Sequence, residues 1–316
     1  MLYLTESDVL RFLPMTDCIA LMRTAFERLA SGEAINQPRR RLHLPTRSTL
    51  HYMAAGDGRY FGAKIYASNP RYGATFLFLL YRAEDAAPLA VIEANHLGQI
   101  RTGAASGLAT QLLARPDSRR LALIGTGFQA RTELEAMLAA IPFEQVLVWS
   151  RSEEKLGAFV RHCVGKFRTE IIAAASAEEA VRRADVIVTA TNAGQPVLED
   201  AWVKPGTHIN AMGSNQAQRR ELPSDLVLRA GLIVADSIEQ SRMEAGDLLL
   251  AFSEADWARV VELKDVVTGR IARTGPDQIT LFKSIGLAVE DVIAAGTVYE
   301  RAVAAGAGAN LPSGTR

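Results

Sequence analysis

The chain has 316 residues, 48% of them hydrophobic and 22% charged, a balance that excludes a disordered polymer and a membrane-embedded one and leaves room for two ordinary domains. Its 35 Lys and Arg are matched by 35 Asp and Glu, so no global field recruits nucleic acid or an anionic membrane surface, and any charge-based function is local. Cys18 and Cys163 stand far apart in no metal-like spacing and are expected to be packed free thiols; the start Met1-Leu2-Tyr3-Leu4-Thr5 lacks a signal peptide's basic, then apolar pattern, so a cytoplasmic protein is expected.

In chain order, Val9, Leu10, Phe12 and Leu13, then Ile19, Leu21, Met22 and Phe26, recur at helical spacing. Thr5 and Thr16 are candidate N-caps, which predicts two amphipathic helices before the Ser31-Gly32 break. Four strands are then predicted over 40–45, 49–54, 61–67 and 75–81, separated by Gly, Pro and Asn turns, giving an α+β unit. Beyond Arg101 the texture becomes a regular alternation of strand and helix, the pattern of a parallel sheet wrapped by helices. Its strands are expected at 121–124, 145–149, 171–174, 186–190, 208–212 and 232–235, with helices such as 130–140, 153–164 and 177–183 between them. The stretch 283–304 reads as one long amphipathic helix that follows the last strand and returns to the first domain, and residues 306–316 read as disordered.

The most specific local motif is Gly125-Thr126-Gly127-Phe128-Gln129-Ala130, a G-x-G-x-x-A pattern directly after a strand and directly before a helix. The first glycine allows the tight turn, the second lets backbone approach a pyrophosphate, and the small third residue lets helix and strand pack closely, so dinucleotide binding is expected. After the second strand the chain reads Ser150-Arg151-Ser152, with no carboxylate for a ribose 2′-hydroxyl; the cation and two hydroxyls suit a 2′-phosphate, which favours NADP over NAD.

On the substrate side, Phe61, Ala63 and Ile65 share one strand face and Gly62, Lys64 and Tyr66 the other. Arg40 lies on the face of Leu42 and Leu44, so if those leucines point inward Arg40 does too, with Arg39, Arg41 and His43 in solvent. Arg101 opens the small-residue helix Thr102-Gly103-Ala104-Ala105-Ser106-Gly107, where a guanidinium could fork onto a carboxylate. From composition alone, each of these cations reads as solvated or structural. His51, His96, His162 and His208 show no metal spacing.

Taken in order, Gln37-Pro38-Arg39-Arg40, Ala63-Lys64, Ile100 to Ser106, Gly125 to Ala130, Trp149 to Ser152, Ala184 to Thr191, Trp202 to Ala211 and Thr280 to Gly286 resemble the ornithine cyclodeaminase/μ-crystallin family across almost the whole chain. The resemblance implies a Rossmann doubly wound parallel sheet over 113–289, and a discontinuous α+β substrate and dimerisation domain from 1–112 with 290–316. It implies a homodimer, an imino- or amino-acid substrate, and hydride exchange between NADPH or NADH and an α-carbon through an imine. By position it makes Arg101 the clamp of the substrate carboxylate, Arg40 its assistant and Lys64 the active-site lysine, and it adds Thr191, Met212, Ser214 and Lys283 to the cofactor side. Where cyclodeaminases and alanine dehydrogenases of the family carry a general-acid aspartate, this chain reads Gly213-Ser214-Asn215. An amide cannot exchange a proton at pH 7, which favours reduction of a preformed ketimine over ornithine cyclisation. A cyclodeaminase-type lyase and a non-catalytic, crystallin-like NADPH-binding protein stay as alternatives, and Asp225 as a replacement acid.

Overall fold

The computed structural model describes residues 1–312. The chain divides into two compact units, Met1–Arg101 with Gly286–Arg316, and Thr102–Ile285. The division falls inside the helix Asn95–Leu113 rather than after it, because that helix runs through the change of texture at Arg101.

The first unit holds the strands β1 (Leu2–Leu4), β2 (Ile35–Asn36), β3 (Arg40–His43), β4 (Thr49–Gly56), β5 (Tyr60–Asn69), β6 (Gly73–Arg82) and β7 (Pro88–Glu93). The second holds β8 (Arg120–Ile124), β9 (Gln145–Trp149), β10 (Glu170–Ala173), β11 (Val186–Thr189), β12 (His208–Ala211), β13 (Leu232–Ala235), β14 (Val260–Glu262) and β15 (Thr280–Lys283). After the helix Ala288–Ala304 the chain ends its described part with β16 (Ala309–Asn310), back in the first unit.

In the first unit the strands run β16-β1-β7-β6-β5-β4-β2, with β3 on β4, and the long central pairs are antiparallel. Thr5 caps the first helix, Glu6–Phe12, and closes a capping box with Asp8; the second helix, Met15–Ser31, starts after Pro14 instead of at Thr16, since proline's fixed φ suits a helix entrance. One face of the sheet is covered by Ala288–Ala304, which packs on β4, β5 and β6 and whose first half is almost wholly buried. Residues 309–310, expected to be disordered, pair with Leu2 and Tyr3; residues 313–316 lie outside the described part.

The second unit is a parallel sheet in the order β10-β9-β8-β11-β12-β15-β13-β14. Counted from β8, the first five strands follow the 3-2-1-4-5 order of a doubly wound sheet, and the order reverses between β8 and β11, where such sheets open a crevice for ligands. All the predicted strands of this region are present, and β14 and β15 are additions: the expected helix over 283–304 begins only at Ala288, and Lys283 instead ends a strand, Thr280–Lys283, that pairs between β12 and β13. A four-residue, fully buried run joined to a helical pattern carries no alternation by which to recognise it. Among the described residues no helix is long and apolar enough to cross a membrane.

Candidate functional site

In the second unit the glycine loop sits at the carboxyl end of β8. Gly125 has φ +120°, and a Cβ there would stand 2.4 Å from the Ala190 carbonyl oxygen, so only glycine fits. Gly127 begins the helix Phe128–Ala140 with no side-chain cap, and a Cβ on it would meet nothing within 4 Å. A helix entrance without a side-chain cap, beside a glycine next to open space, is a cradle that fits a dinucleotide pyrophosphate. Thr126 is half-buried and Ala130 is buried where helix meets sheet, while Gln129 bonds to Thr132 and Glu133. At the end of β9, Arg151 is exposed, Ser150 is half-buried, and the Ser152 hydroxyl caps the next helix by accepting from Lys155 N at 3.3 Å.

The remaining cofactor-side residues are gathered by a buried charge network. Glu221 accepts from Thr189 Oγ1 at 2.9 Å, and from Thr191 N, Thr191 Oγ1 and Gly213 N at 2.7 Å each. Burial and the neighbouring Asp247 carboxylate push Glu221 above the usual carboxylate range, against the pull of Lys283. Lys283 is fully buried; its Nζ stands 2.9 Å from Asp247 and donates to the carbonyls of Ser214 at 2.7 Å and Ala211 at 3.3 Å. Its ammonium therefore holds the loop after β12 rather than reaching out to a ligand. Met212 and Ser214 are buried on that loop, and Asn215 follows, half-buried. Asp225 is exposed in the first turn of the helix Ser224–Arg229.

The first unit contains a cation cluster. Lys64, in the middle of β5, is 4% exposed and donates to Asp291 Oδ1 at 3.1 Å; Arg101 is 5% exposed and donates to the same oxygen at 3.1 Å and to Glu290 at 2.8 Å. Asp291 and Glu290 lie in the first turn of Ala288–Ala304. Asp291 keeps its other oxygen buried with no hydrogen-bond partner among the described residues. Two glycines make room for the cations: a Cβ on Gly98 would stand 2.2 Å from Lys64 Nζ, and one on Gly286 would stand 2.4 Å from the Arg101 guanidinium. Burial drives the Lys64 ammonium down to about 8, although Asp291 pulls the other way. Burial also works against Arg101, but Asp291 and Glu290 outweigh it and hold the guanidinium above its ordinary range; the Asp291 carboxyl, disfavoured by burial, is held below its usual range by Arg101 and Lys64.

The expectation that Arg40 points inward is overturned. Arg40 is exposed, whereas Arg39 is 4% exposed and donates to the Gly286 carbonyl at 3.2 Å, with its guanidinium 3.8 Å from the Met53 sulfur. Arg40 does share a face with Leu42, as the alternation requires, but that face is the uncovered one: Leu42 is 54% exposed, and the register places it with Leu50, Tyr52, Ile65 and Leu77. This sheet is apolar on both faces, so alternation alone cannot say which face meets the helix. Asp291 and Glu290 were not singled out from the sequence, and Arg39, expected in solvent, is buried; the signal for the acids was two adjacent carboxylates in the otherwise apolar first half of the helix.

The model of the Ornithine cyclodeaminase/mu-crystallin family matches residues 1–306. A Delta(1)-pyrroline-2-carboxylate reductase of Bacillus cereus (strain ZK / E33L) is 42% identical over 228 residues, 71% of this chain and 70% of that protein. The structure of Thermococcus litoralis Delta(1)-pyrroline-2-carboxylate reductase in complex with NADH and L-proline superposes with a TM-score of 0.94 at 34% identity, covering 98% of this chain and all (100%) of that one. An archaeal alanine dehydrogenase dimer with bound NAD gives 0.93 at 32% identity over 99% of both chains. With matches of this extent, the chain belongs to the ornithine cyclodeaminase/mu-crystallin family.

Proposed function

We propose that this chain is a nicotinamide-dependent reductase of cyclic α-imino acids, the class that includes pyrroline-2-carboxylate. The observation that carries the reading is the buried pair Lys64 and Arg101 bridged by Asp291, two cations withheld from water where a small carboxylate could be gripped from two sides. The B. cereus and T. litoralis relatives, pyrroline-2-carboxylate reductases by name, support the same substrate class.

In this reading Arg101, joined by Arg39, orients the substrate carboxylate, and Lys64 gives a proton to the imine nitrogen. An ammonium lowered to about 8 is still charged at neutral pH yet releases its proton readily, which suits a general acid. A reduced nicotinamide cofactor, when bound, would supply the hydride for the imine carbon; with the proton from Lys64, one C–H and one N–H bond would replace the C=N π bond. Asn215, an amide on the loop held by Lys283 and Glu221, orients but does not exchange protons, and this favours reduction over the cyclodeaminase alternative. Arg151 with Ser150 and Ser152 favours NADPH over NADH. The apolar, uncovered sheet face bearing Leu42, Leu50, Tyr52, Phe61 and Leu77 supports a homodimer, as in the alanine dehydrogenase relative, with Arg40 on that face. Two free, buried cysteines fit a reducing, cytoplasmic setting.

The test follows NADPH and NADH consumption by their absorbance with pyrroline-2-carboxylate and piperideine-2-carboxylate. Consumption with either is expected, faster with NADPH. Ammonia release from ornithine without net cofactor change would establish the lyase instead, and no consumption with any cyclic imine would remove the reductase reading.

A further inference from the structure

The Lys64 ammonium has one hydrogen-bond partner among the described residues, Asp291 Oδ1 at 3.1 Å, and Arg101 Nε donates to that same oxygen at 3.1 Å. A single carboxylate oxygen therefore stands between two cations. On the sheet, Lys64 pairs with Met53 of β4 and Phe78 of β6, both buried and apolar. The helix Asn95–Leu113 faces it with Gly98, which has no side chain, and with Arg101; the segment before β3 adds Arg39. One pleat along on its own face lie Tyr66 and, on β4, His51, whose imidazole burial keeps neutral at physiological pH. Glu290, next to Asp291, bonds to Arg101 at 2.8 Å, and near them burial keeps the Cys18 thiol of the helix Met15–Ser31 uncharged.

A buried ammonium has lost its hydration and persists as a charge only when it is paired. A guanidinium close by makes the neutral amine more favourable still, and a neutral amine cannot protonate an imine. Asp291 is fully buried in the first turn of the helix Ala288–Ala304, where the positive end of the helix favours a carboxylate. Although burial opposes its charge, Arg101 and Lys64 hold its carboxyl below the usual range, so it stays ionised and is no proton source itself.

We infer that Asp291 is a positioning residue for the reduction: by tying the Lys64 ammonium and the Arg101 guanidinium to one oxygen, it fixes where both meet the substrate and keeps Lys64 in its proton-giving form. The inference rests on the reductase reading, in which Lys64 protonates the imine nitrogen. Each turnover then leaves Lys64 as a neutral amine beside the carboxylate, and a proton from solvent restores the ammonium while Asp291 keeps its charge.

The test reads Lys64 directly, by NMR of the full-length protein isotope-labelled at lysine Cε, in the absence of substrate. The chain has six lysines, so Lys64→Arg identifies the signal. The parent midpoint is expected near 8. Asp291→Asn should lower it by about one to three pH units, the range for losing an opposite charge in direct contact. The alkaline limb of kcat/KM for pyrroline-2-carboxylate should move down by the same amount, which a merely structural loss would not do. Asp291→Ala, which removes the charge and favours the helix, carries the same expectation if the Asn variant does not fold. Glu290→Gln should move the midpoint less. A midpoint unchanged without the Asp291 carboxylate, or moved as far by Glu290→Gln, overturns the inference. The NMR reading needs no turnover, so a shifted midpoint in a protein that consumes no NADPH with cyclic imines counts against the reductase reading alone.

Discussion

Each unit buries a cluster of full charges, and the two clusters are built on opposite plans. In the second unit, Glu221, Asp247 and Lys283 spend their hydrogen bonds on the backbone: Glu221 takes the N–H groups of Thr191 and Gly213, Asp247 those of Glu221 and Leu222, and Lys283 gives to two carbonyls. In the first unit, Lys64 and Arg101 meet the carboxylates of Asp291 and Glu290, and Asp291 Oδ2 takes no hydrogen bond among the described residues; Asp247 Oδ2 in the second takes none either, but stands 2.9 Å from Lys283 Nζ. Charges tied to the backbone fix loops; charges tied mainly to one another can exchange a partner for a ligand. Buried ion pairs contribute little net stability against an apolar replacement, so a cluster whose charges pair mainly with one another is better explained by chemistry than by folding.

Substituting the central lysine of each cluster should therefore give opposite results, and this is the largest effect expected. Lys283→Met strands a buried carboxylate and two carbonyls and should cost about 3–5 kcal/mol of stability, read from chemical denaturation. Lys64→Met leaves Asp291 its partner Arg101, so stability should change by no more than about 1 kcal/mol, while kcat/KM for the imine falls about a thousandfold or more. Equal losses of stability in the two variants would break the comparison.

The pH profile sharpens it. As the proposed proton donor Lys64 must carry its proton, and burial lowers that ammonium to about 8, so kcat/KM should decline as pH rises above about 8, approaching tenfold per unit. Lys64→Arg should abolish that limb along with most of the rate, since a guanidinium stays charged throughout the range. A profile flat to pH 10 in the parent would show that the lysine does not titrate during turnover.

Smaller effects separate neighbours. Arg39→Ala should lower kcat/KM by about tenfold to a hundredfold through a higher KM, and Arg40→Ala, on the exposed face, by less than about threefold in the assembled protein. Gly98→Ala is a stricter test of geometry, because the added methyl would stand 2.2 Å from Lys64 Nζ, the far end of a flexible side chain. The ammonium must move while the helix Asn95–Leu113 gains helical propensity, so activity should fall about tenfold with the thermal midpoint unchanged or slightly raised.

The second unit was the more legible of the two in the sequence, and the reason is physical. Gly125 and Gly127 are dictated by backbone approach and by a turn that admits no side chain, constraints that act within six residues and are visible as a motif. The cluster in the first unit joins β5, the helix after β7 and the helix Ala288–Ala304, so its acids lie some two hundred residues from the lysine they serve and no local spacing announces them. Resemblance to a family supplied Lys64 and Arg101; it also pointed to Arg40, as did an inward-leucine argument that a two-faced apolar sheet defeats, where the structure buries Arg39.

A last contrast concerns His208, which the second unit buries completely beside Thr280 on β15. Burial, with Arg273 adding to it, pushes its imidazole down to about 3, so the folded chain keeps it neutral while the unfolded chain takes up a proton near the ordinary histidine value of 6.5. The unfolded state then binds more protons at every pH between these two values, and stability must fall as pH drops through that window. At pH 5 the loss from this one residue is about 2 kcal/mol. His208→Gln, which keeps a polar group of similar size that cannot charge, should flatten the acid limb of the denaturation midpoint without altering the alkaline decline in kcat/KM assigned to Lys64. If the two limbs moved together, protons on one unit would be felt by the chemistry of the other, and the division between loop-fixing and ligand-gripping charges would have to be abandoned.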